Sequence, residues 1–199
     1  MAVRKGLVLV ISGPAGAGKG TLASMLLKRD GRFKFSISAT TRAPRETEVP
    51  DVDYYFLNDE EFAQWDERGE FLETAVVHGH HYGTPYKPII QAMDDGKDLL
   101  LDIDSQGAMS VIDKVANCVT VFILPPSFTI LEQRLRKRNT ECEADLQRRL
   151  HNARGEVEQI GRYNYVIIND EIEDTYRQLE AIVIAERHNT IRYQPEIGE

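Results

Sequence analysis

The sequence predicts a three-layer α/β/α fold, a parallel sheet held between helical layers, and three observations carry that reading. Short apolar runs at residues 7–11, 35–38, 99–104, 119–124 and 165–169 have the near-continuous composition of strands covered on both faces. Amphipathic segments lie between them, and strands that alternate with helices close into a parallel sheet. The first run leads into a glycine-rich stretch, GPAGAGKGT from Gly13 to Thr21, which opens directly into a helical pattern.

Each element follows from its spacing. Residues 21–29 carry Leu22, Leu26 and Leu27 on one helical face, and 127–138 place Phe128, Leu131 and Leu135 together. Residues 172–188 do the same with Ile172, Tyr176, Leu179 and Val183. Between about 40 and 96 the rhythm breaks into short strands at 54–57, 71–77 and 81–84 around a helix that starts at Asp59. Asn58 with Glu61 reads as a capping box, and Gly69 suits the end of that helix. Phe62 and Trp65, three apart, read as its core face. There is no internal repeat, and residues 192–199 carry no informative pattern.

Composition bounds the function. A chain of 199 residues with 42% hydrophobic content suits one packed domain with small inserts. No apolar run is long enough to span a bilayer, and the start, MAVRKGLVLVI, is too short for a secretory signal. Cys118 and Cys142 form no C-x-x-C pair, so a reducing, cytoplasmic setting is expected, with no membrane partner. The formal net charge of −8 argues against a nucleic-acid binder. Arg134, Arg136, Lys137, Arg138, Arg148, Arg149 and Arg154 cut against that balance. They read either as the solvated faces of two helices or as a concentration of cations for a small anionic ligand.

The loop Gly13, Pro14, Ala15, Gly16, Ala17, Gly18, Lys19, Gly20, Thr21 has the strand-to-helix context of a phosphate-binding P-loop. Its glycines let successive N–H groups point inward as an anion nest at a helix N-terminus, and Lys19 is placed to reach β- and γ-phosphates. The general pattern wants a hydroxyl directly after the lysine; here Gly20 intervenes and Thr21 arrives one residue late. A Mg²⁺ ion would therefore be held by Thr21, by water or by the nucleotide's phosphates. The form GxGKGT resembles the loop of nucleoside monophosphate kinases. Alone, it indicates only a bound nucleoside triphosphate.

A second constellation is more discriminating. The stretch SISATTRAPRETEVPDVDYYF, residues 36–56, resembles the guanylate kinase family, and GEFLE, HYGTP, LLLDIDSQG and RLRKRNTE agree in order and spacing. Arg42 and Arg45 sit in a proline-stiffened loop and can both offer forks to one phosphate, while Tyr54 and Tyr82 can donate phenolic hydrogen bonds. The resemblance implies that these four grip the phosphate of GMP. A carboxylate at Glu73 can accept from guanine N1–H and N2–H₂, a donor pair that adenine lacks. The resemblance gives Glu73 that role, joined by Ser38, Thr84 and Asp104. Asp102 and Asp104, two apart at a strand end, are expected on one face, suited to a Mg²⁺ shell and a guanine or ribose contact. A helix cap is the alternative for Asp104.

By the same resemblance Arg138 and Arg149 are lid arginines over the transferring phosphate, and Asn169 lies near the adenine of ATP. Arg134, Arg136, Lys137, Arg148 and Arg154 are expected to stay solvated or to support the lid. The implied organisation is a single domain over 1–199, with core 1–37 and 97–199, a GMP-binding insert at about 38–96 and a helical lid at about 134–150. The implied reaction is MgATP + GMP ⇌ ADP + GDP, with dGMP a further acceptor, and a homo-oligomer remains open. The family pattern has a Gly-Glu after PR-x and a glycine before DY; here the text is Glu46-Thr47-Glu48 and Pro50-Asp51-Val52, which should restrict the loop's φ angles. His78, His80 and His81 read as a polar hairpin rather than a zinc site, with no cysteine near in sequence. Two rivals stay in view: an adenylate kinase, disfavoured by Glu73 and Asp104, and a catalytically dead interaction module, disfavoured by the intact Gly13, Gly18, Lys19, Arg42 and Arg45.

Overall fold

The computed structural model describes residues 3–46, 48–77, 79–137 and 143–196. In chain order the elements are β1 (Val3–Arg4), β2 (Val8–Ser12), α1 (Lys19–Arg29), β3 (Phe33–Phe35), β4 (Ser38–Thr40), β5 (Tyr54–Phe56), α2 (Asp59–Glu67), β6 (Phe71–Val77), β7 (His80–Pro85), α3 (Tyr86–Asp94), β8 (Asp98–Asp102), α4 (Ser105–Lys114), β9 (Val119–Leu124), α5 (Phe128–Lys137), α6 (Glu143–Glu158), β10 (Tyr165–Ile168), α7 (Ile172–Arg187) and β11 (Tyr193–Gln194).

Five parallel strands form the central sheet in the order β10-β9-β2-β8-β3. β2 lies in the middle and is wholly buried, which is why it reads as an unbroken apolar run. Its side chains alternate between two cores. Leu9 and Ile11 pack with Leu22 and Leu26 of α1 and Leu179 and Val183 of α7. Val8 and Val10 face the other way, toward Ile89 of α3 and Ala108 and Val111 of α4. The three-layer expectation therefore holds.

The edges depart from the sequence reading. β10, an edge strand, is not covered on both faces: Ile167 is buried on one, while Val166 and Ile168 on the other are 50% and 57% exposed. The single strand expected at 35–38 is two strands, β3 in the central sheet and β4 in a second one, since the chain leaves one sheet for the other at Ser36 and Ile37. The strand expected at 99–104 stops at Asp102. Residues beyond Arg192 are not patternless in space, because Tyr193–Gln194 pairs antiparallel with Val3–Arg4.

The second sheet has the order β5-β4-β7-β6, with β4 and β5 parallel and the other pairings antiparallel. Helix α2 covers it. The Asn58–Glu61 capping box forms as its residues predict, and the Phe62 ring stacks on Phe71 at 4.6 Å with Trp65 alongside.

At the N-terminal edge of the central sheet sits a buried charge cluster. Asp98 accepts from Arg4 at 2.9 and 3.0 Å, from Arg187 Nε at 2.7 Å and from the Leu7 N–H at 2.9 Å. Arg187 also pairs with Asp30 and lies over the Phe33 ring. The site described next occupies the opposite edge, where strands of a parallel sheet deliver ligands.

Candidate active site

Strand β2 ends at Ser12 and the chain turns through the glycine-rich loop into α1. Gly13 has φ 133°, and a Cβ there would meet the Ile123 carbonyl oxygen at 2.2 Å, so only glycine fits. Gly18, in the left-handed region at φ 100°, is the N-cap of α1. The Lys19 ammonium donates to the Gly13 and Pro14 carbonyls at the mouth of the loop. Asn169 lies behind it, 4% exposed. Its Nδ2 donates to the Ala17 carbonyl at 2.7 Å, and its Oδ1 accepts from the Thr175 hydroxyl at 3.0 Å. Its carboxamide thereby braces the loop. Arg134, expected to stay solvated or to support the lid, is half-buried and donates to the Asn169 carbonyl at 2.9 Å.

Beside the loop, Asp102 closes β8. A Cβ on Gly20 would lie 3.5 Å from Asp102 Oδ2, so glycine at this position leaves the flank of the helix open toward the carboxylate. Burial pushes the Asp102 carboxyl up, and Lys19 opposes that shift. Thr21 is exposed on the first turn of α1. Oxygen donors such as the Thr21 hydroxyl and the Asp102 carboxylate suit a Mg²⁺ ion that keeps part of its hydration shell. Among the described residues no three His, Cys, Asp or Glu side chains cluster as a metal cage; His78 and Cys142 lie outside the described residues.

Facing this edge, a cavity of about 290 Å³ lies between the two sheets. It brings together Ser38, Tyr54, Glu73, Tyr82, Thr84, Asp102 and Asp104, residues spread over 67 positions of the chain from Ser38 to Asp104 in the sequence reading. The aim of Glu73 comes from a β-bulge. Phe71 pairs with Pro85 and Glu73 with Thr84, so β6 carries one extra residue there. Leu72 is thereby buried in the main core while Glu73 looks into the cavity. From α4, Lys114 donates to the Phe71 and Leu72 carbonyls at 3.2 and 2.7 Å and holds the bulge. Glu73 accepts from the Thr84 hydroxyl at 2.6 Å. Burial pushes its carboxyl up, Thr84 opposes the shift, and Asp104 adds to it.

Asp104 corrects the sequence reading in one respect. It lies past the strand as the N-cap of α4, its Oδ1 accepting the Gly107 N–H at 2.8 Å. Strand alternation therefore does not place Asp102 and Asp104 on one face; the turn into α4 brings both to the same cavity. The cap alternative holds, and the capping residue also lines the cavity.

Arg42 follows β4, its guanidinium 5.5 Å from the Tyr54 ring centre and its Nε donating to the Tyr82 hydroxyl at 3.2 Å. Glu48, which the sequence reading assigned to nothing, pairs with it at 2.9 Å. Arg45 is exposed in the same loop. The glycine lost before the DY pattern is replaced by Asp51, which adopts φ 62° itself. The loop keeps its left-handed turn, because aspartate tolerates that region better than most residues. Arg149 is half-buried on α6, and Arg138 lies outside the described residues. Arg136 ties α5 to α6 by pairing with Glu132 and Glu143. Lys114 was missed because it acts through backbone carbonyls 43 and 42 positions away, which leaves no spacing signal; Glu48 was missed although its partners Arg42 and Arg45 lie only six and three positions off.

A P-loop at the end of a parallel strand, facing a cavity lined by acids and tyrosines with Arg42 bonded to one of those tyrosines, defines a P-loop kinase. The guanylate kinase family model matches residues 5–186. Guanylate kinase from Caldanaerobacter subterraneus subsp. tengcongensis is 44% identical over 188 residues, 94% of this chain and 91% of that protein. The one from Rickettsia prowazekii is 42% identical over 189 residues, 95% and 96% of the two chains. The crystal structure of guanylate kinase from Anaplasma phagocytophilum aligns with a TM-score of 0.73 at 36% identity, covering 97% of this chain and 92% of that one. The chain belongs to the guanylate kinase family. It is a kinase, a nucleotide-binding transferase.

Proposed function

We propose that this enzyme transfers the γ-phosphoryl group of ATP to GMP, and to dGMP, forming ADP and the corresponding diphosphate. The observation that carries the reading is Glu73. A bulge aims this half-buried carboxylate into a cavity that opens beside the P-loop, where it meets a base edge bearing two adjacent donors. Guanine satisfies it; adenine would leave a buried acceptor unpaired. Ser38, Thr84 and Asp104 complete the base site, and Arg42, Arg45, Tyr54 and Tyr82 take the acceptor's phosphate. The loop Gly13–Thr21 takes the phosphates of ATP, with Asn169 bracing it.

Thr21 and Asp102 would hold Mg²⁺, partly through water. The ion would supply charge neutralisation between the phosphates. The acceptor's phosphate oxygen is already ionised near neutral pH, so in-line transfer needs positioning and charge more than a base. Lys19, Arg42, Arg138 and Arg149 spread the charge that develops. Closing of the insert at about 38–96 and of the lid at about 134–150 excludes water and limits wasteful ATP hydrolysis. No helix among the described residues is long and apolar enough to cross a membrane, which is compatible with work in the cytoplasm.

The test is ADP release from MgATP with GMP, AMP, UMP and CMP offered separately. Turnover is expected with GMP alone, and Glu73→Gln should lower kcat/KM for GMP roughly 10- to 100-fold, the scale of a charged hydrogen bond. ADP formed with AMP would sink the guanine assignment. No turnover with any acceptor would sink the kinase reading of this chain.

A further inference from the structure

Glu48 meets Arg42 in a geometry that its charge alone does not require. A guanidinium has five N–H groups and two edges that can grip an oxyanion, one end-on through both Nη atoms and one side-on through Nε and a single Nη. Arg42 Nη1 donates to the Ala43 carbonyl at 2.7 Å and to Glu48 Oε2 at 3.0 Å. Its Nη2 donates to Glu48 Oε1 at 2.9 Å, and its Nε donates to the Tyr82 hydroxyl at 3.2 Å. Glu48 thus fills the end-on edge, and the side-on edge is turned to Tyr82, which lines the cavity. Glu48 Oε2 also accepts the Arg45 N–H at 2.8 Å, so one carboxylate ties both arginines of the loop. The pair is largely shielded, at 16% and 14% side-chain exposure.

We propose that Glu48 is a positioning residue for the acceptor's phosphate. It clamps Arg42 from behind so that the side-on edge faces the site, and it fixes the backbone from which Arg45 reaches in. The inference rests on the reading that Arg42 and Tyr82 take that phosphate. When the phosphate arrives, the Tyr82 hydroxyl passes from accepting the Nε–H to donating to the oxyanion, and the planar cation meets two anions on adjacent edges. Bare Coulomb attraction argues for the reverse effect, since deleting a carboxylate near a dianion should tighten its binding. The direction of change therefore separates positioning from charge.

Steady-state kinetics of Glu48→Gln with MgATP and GMP make the test. The expected result is a KM for GMP raised about tenfold, about one charge-assisted hydrogen bond, with kcat and the KM for ATP within about threefold of wild type. The inhibition constant of guanosine, which has the base and sugar but no phosphate, should not move. A KM for GMP that falls or stays level overturns the proposal, as does a guanosine constant that rises in step, which would mark a general collapse of the cavity. Arg42→Ala run in parallel tells the two readings apart: if it leaves the KM for GMP untouched, the phosphate site itself is misassigned. Should Glu48→Gln fail to fold, Glu48→Asp, which keeps the charge and withdraws the fork by one methylene, makes the same comparison.

Discussion

At the scale of single residues, Glu73 shows how function costs stability. Burial raises its pKa in the folded chain above the usual 4.5, with Thr84 pulling the other way. A carboxyl whose folded pKa lies above its unfolded one holds a proton more tightly in the native state, so stability declines as pH rises through that window. Glu73→Gln removes the penalty. Its melting temperature should exceed that of wild type at pH 8, and the gap should shrink as pH falls toward 4.5; a gap independent of pH would refute this origin. On the proposal that the Glu73 carboxylate reads the base, guanosine should inhibit wild type less well on the acid side, with a midpoint above 4.5, while the glutamine variant shows no such limb. Residue types of this kind are legible in a sequence. Glu73, Arg42, Tyr54, Tyr82 and Thr84 were all named from motif and chemistry, and the structure places Arg42 against Tyr82 and the rest around one cavity. Glu48 escaped, because a lone glutamate in a polar loop looks like solvated charge until its partner is seen.

Elements were legible where periodicity is long and ambiguous where a strand is short. The helix at 172–188 was found within a residue, and the capping box at Asn58 was found outright. The bulge at Phe71–Glu73 has no signature, since one inserted residue leaves a seven-residue strand looking regular. Nor did the run 35–38 reveal that the chain crosses between two sheets inside it, because apolar composition says nothing about which neighbour a strand takes. The bulge is open to test through its clamp. Lys114→Met leaves the Phe71 and Leu72 carbonyls without their ammonium donor. It should destabilise the chain by about 1–3 kcal/mol in urea titrations and raise the KM for GMP while sparing that for ATP. An equal rise in both constants would show that the bulge does not serve the acceptor cavity in particular.

At the scale of the whole molecule, the fold is stapled at one edge of its sheet and works at the other. Asp98 has no side-chain exposure and is held by Arg4 and Arg187, and Arg187 reaches on to Asp30. Burial pushes Asp30 up, yet its bonds with Arg187 and Arg32 outweigh that and leave it at about 2. Its contribution is thus complete above the ordinary 3.8 and is lost as pH falls toward 2. Arg187→Met breaks the cluster and strands Asp98 with one cation. A loss of about 3–5 kcal/mol is expected from urea unfolding, with kcat/KM for GMP unchanged at temperatures where the variant is folded. A fall in kcat/KM under those conditions would tie the staple to the chemistry. None of this was legible beforehand, because Arg4, Asp30, Asp98 and Arg187 are scattered along the chain and only the closed sheet collects them.

Strand β8 joins the two edges, with an acid at each end: Asp98 neutralised by two arginines and Asp102 open toward Gly20. Four residue steps set them roughly 13 Å apart, and the charge of Asp98 is offset where it stands by Arg4 and Arg187, so little of its field reaches Asp102. Durability and turnover are therefore separately adjustable in this molecule. An engineer, or natural drift, can rework the Asp98 end for heat or acid resistance and leave the Asp102 end, with the reaction it serves, as it was.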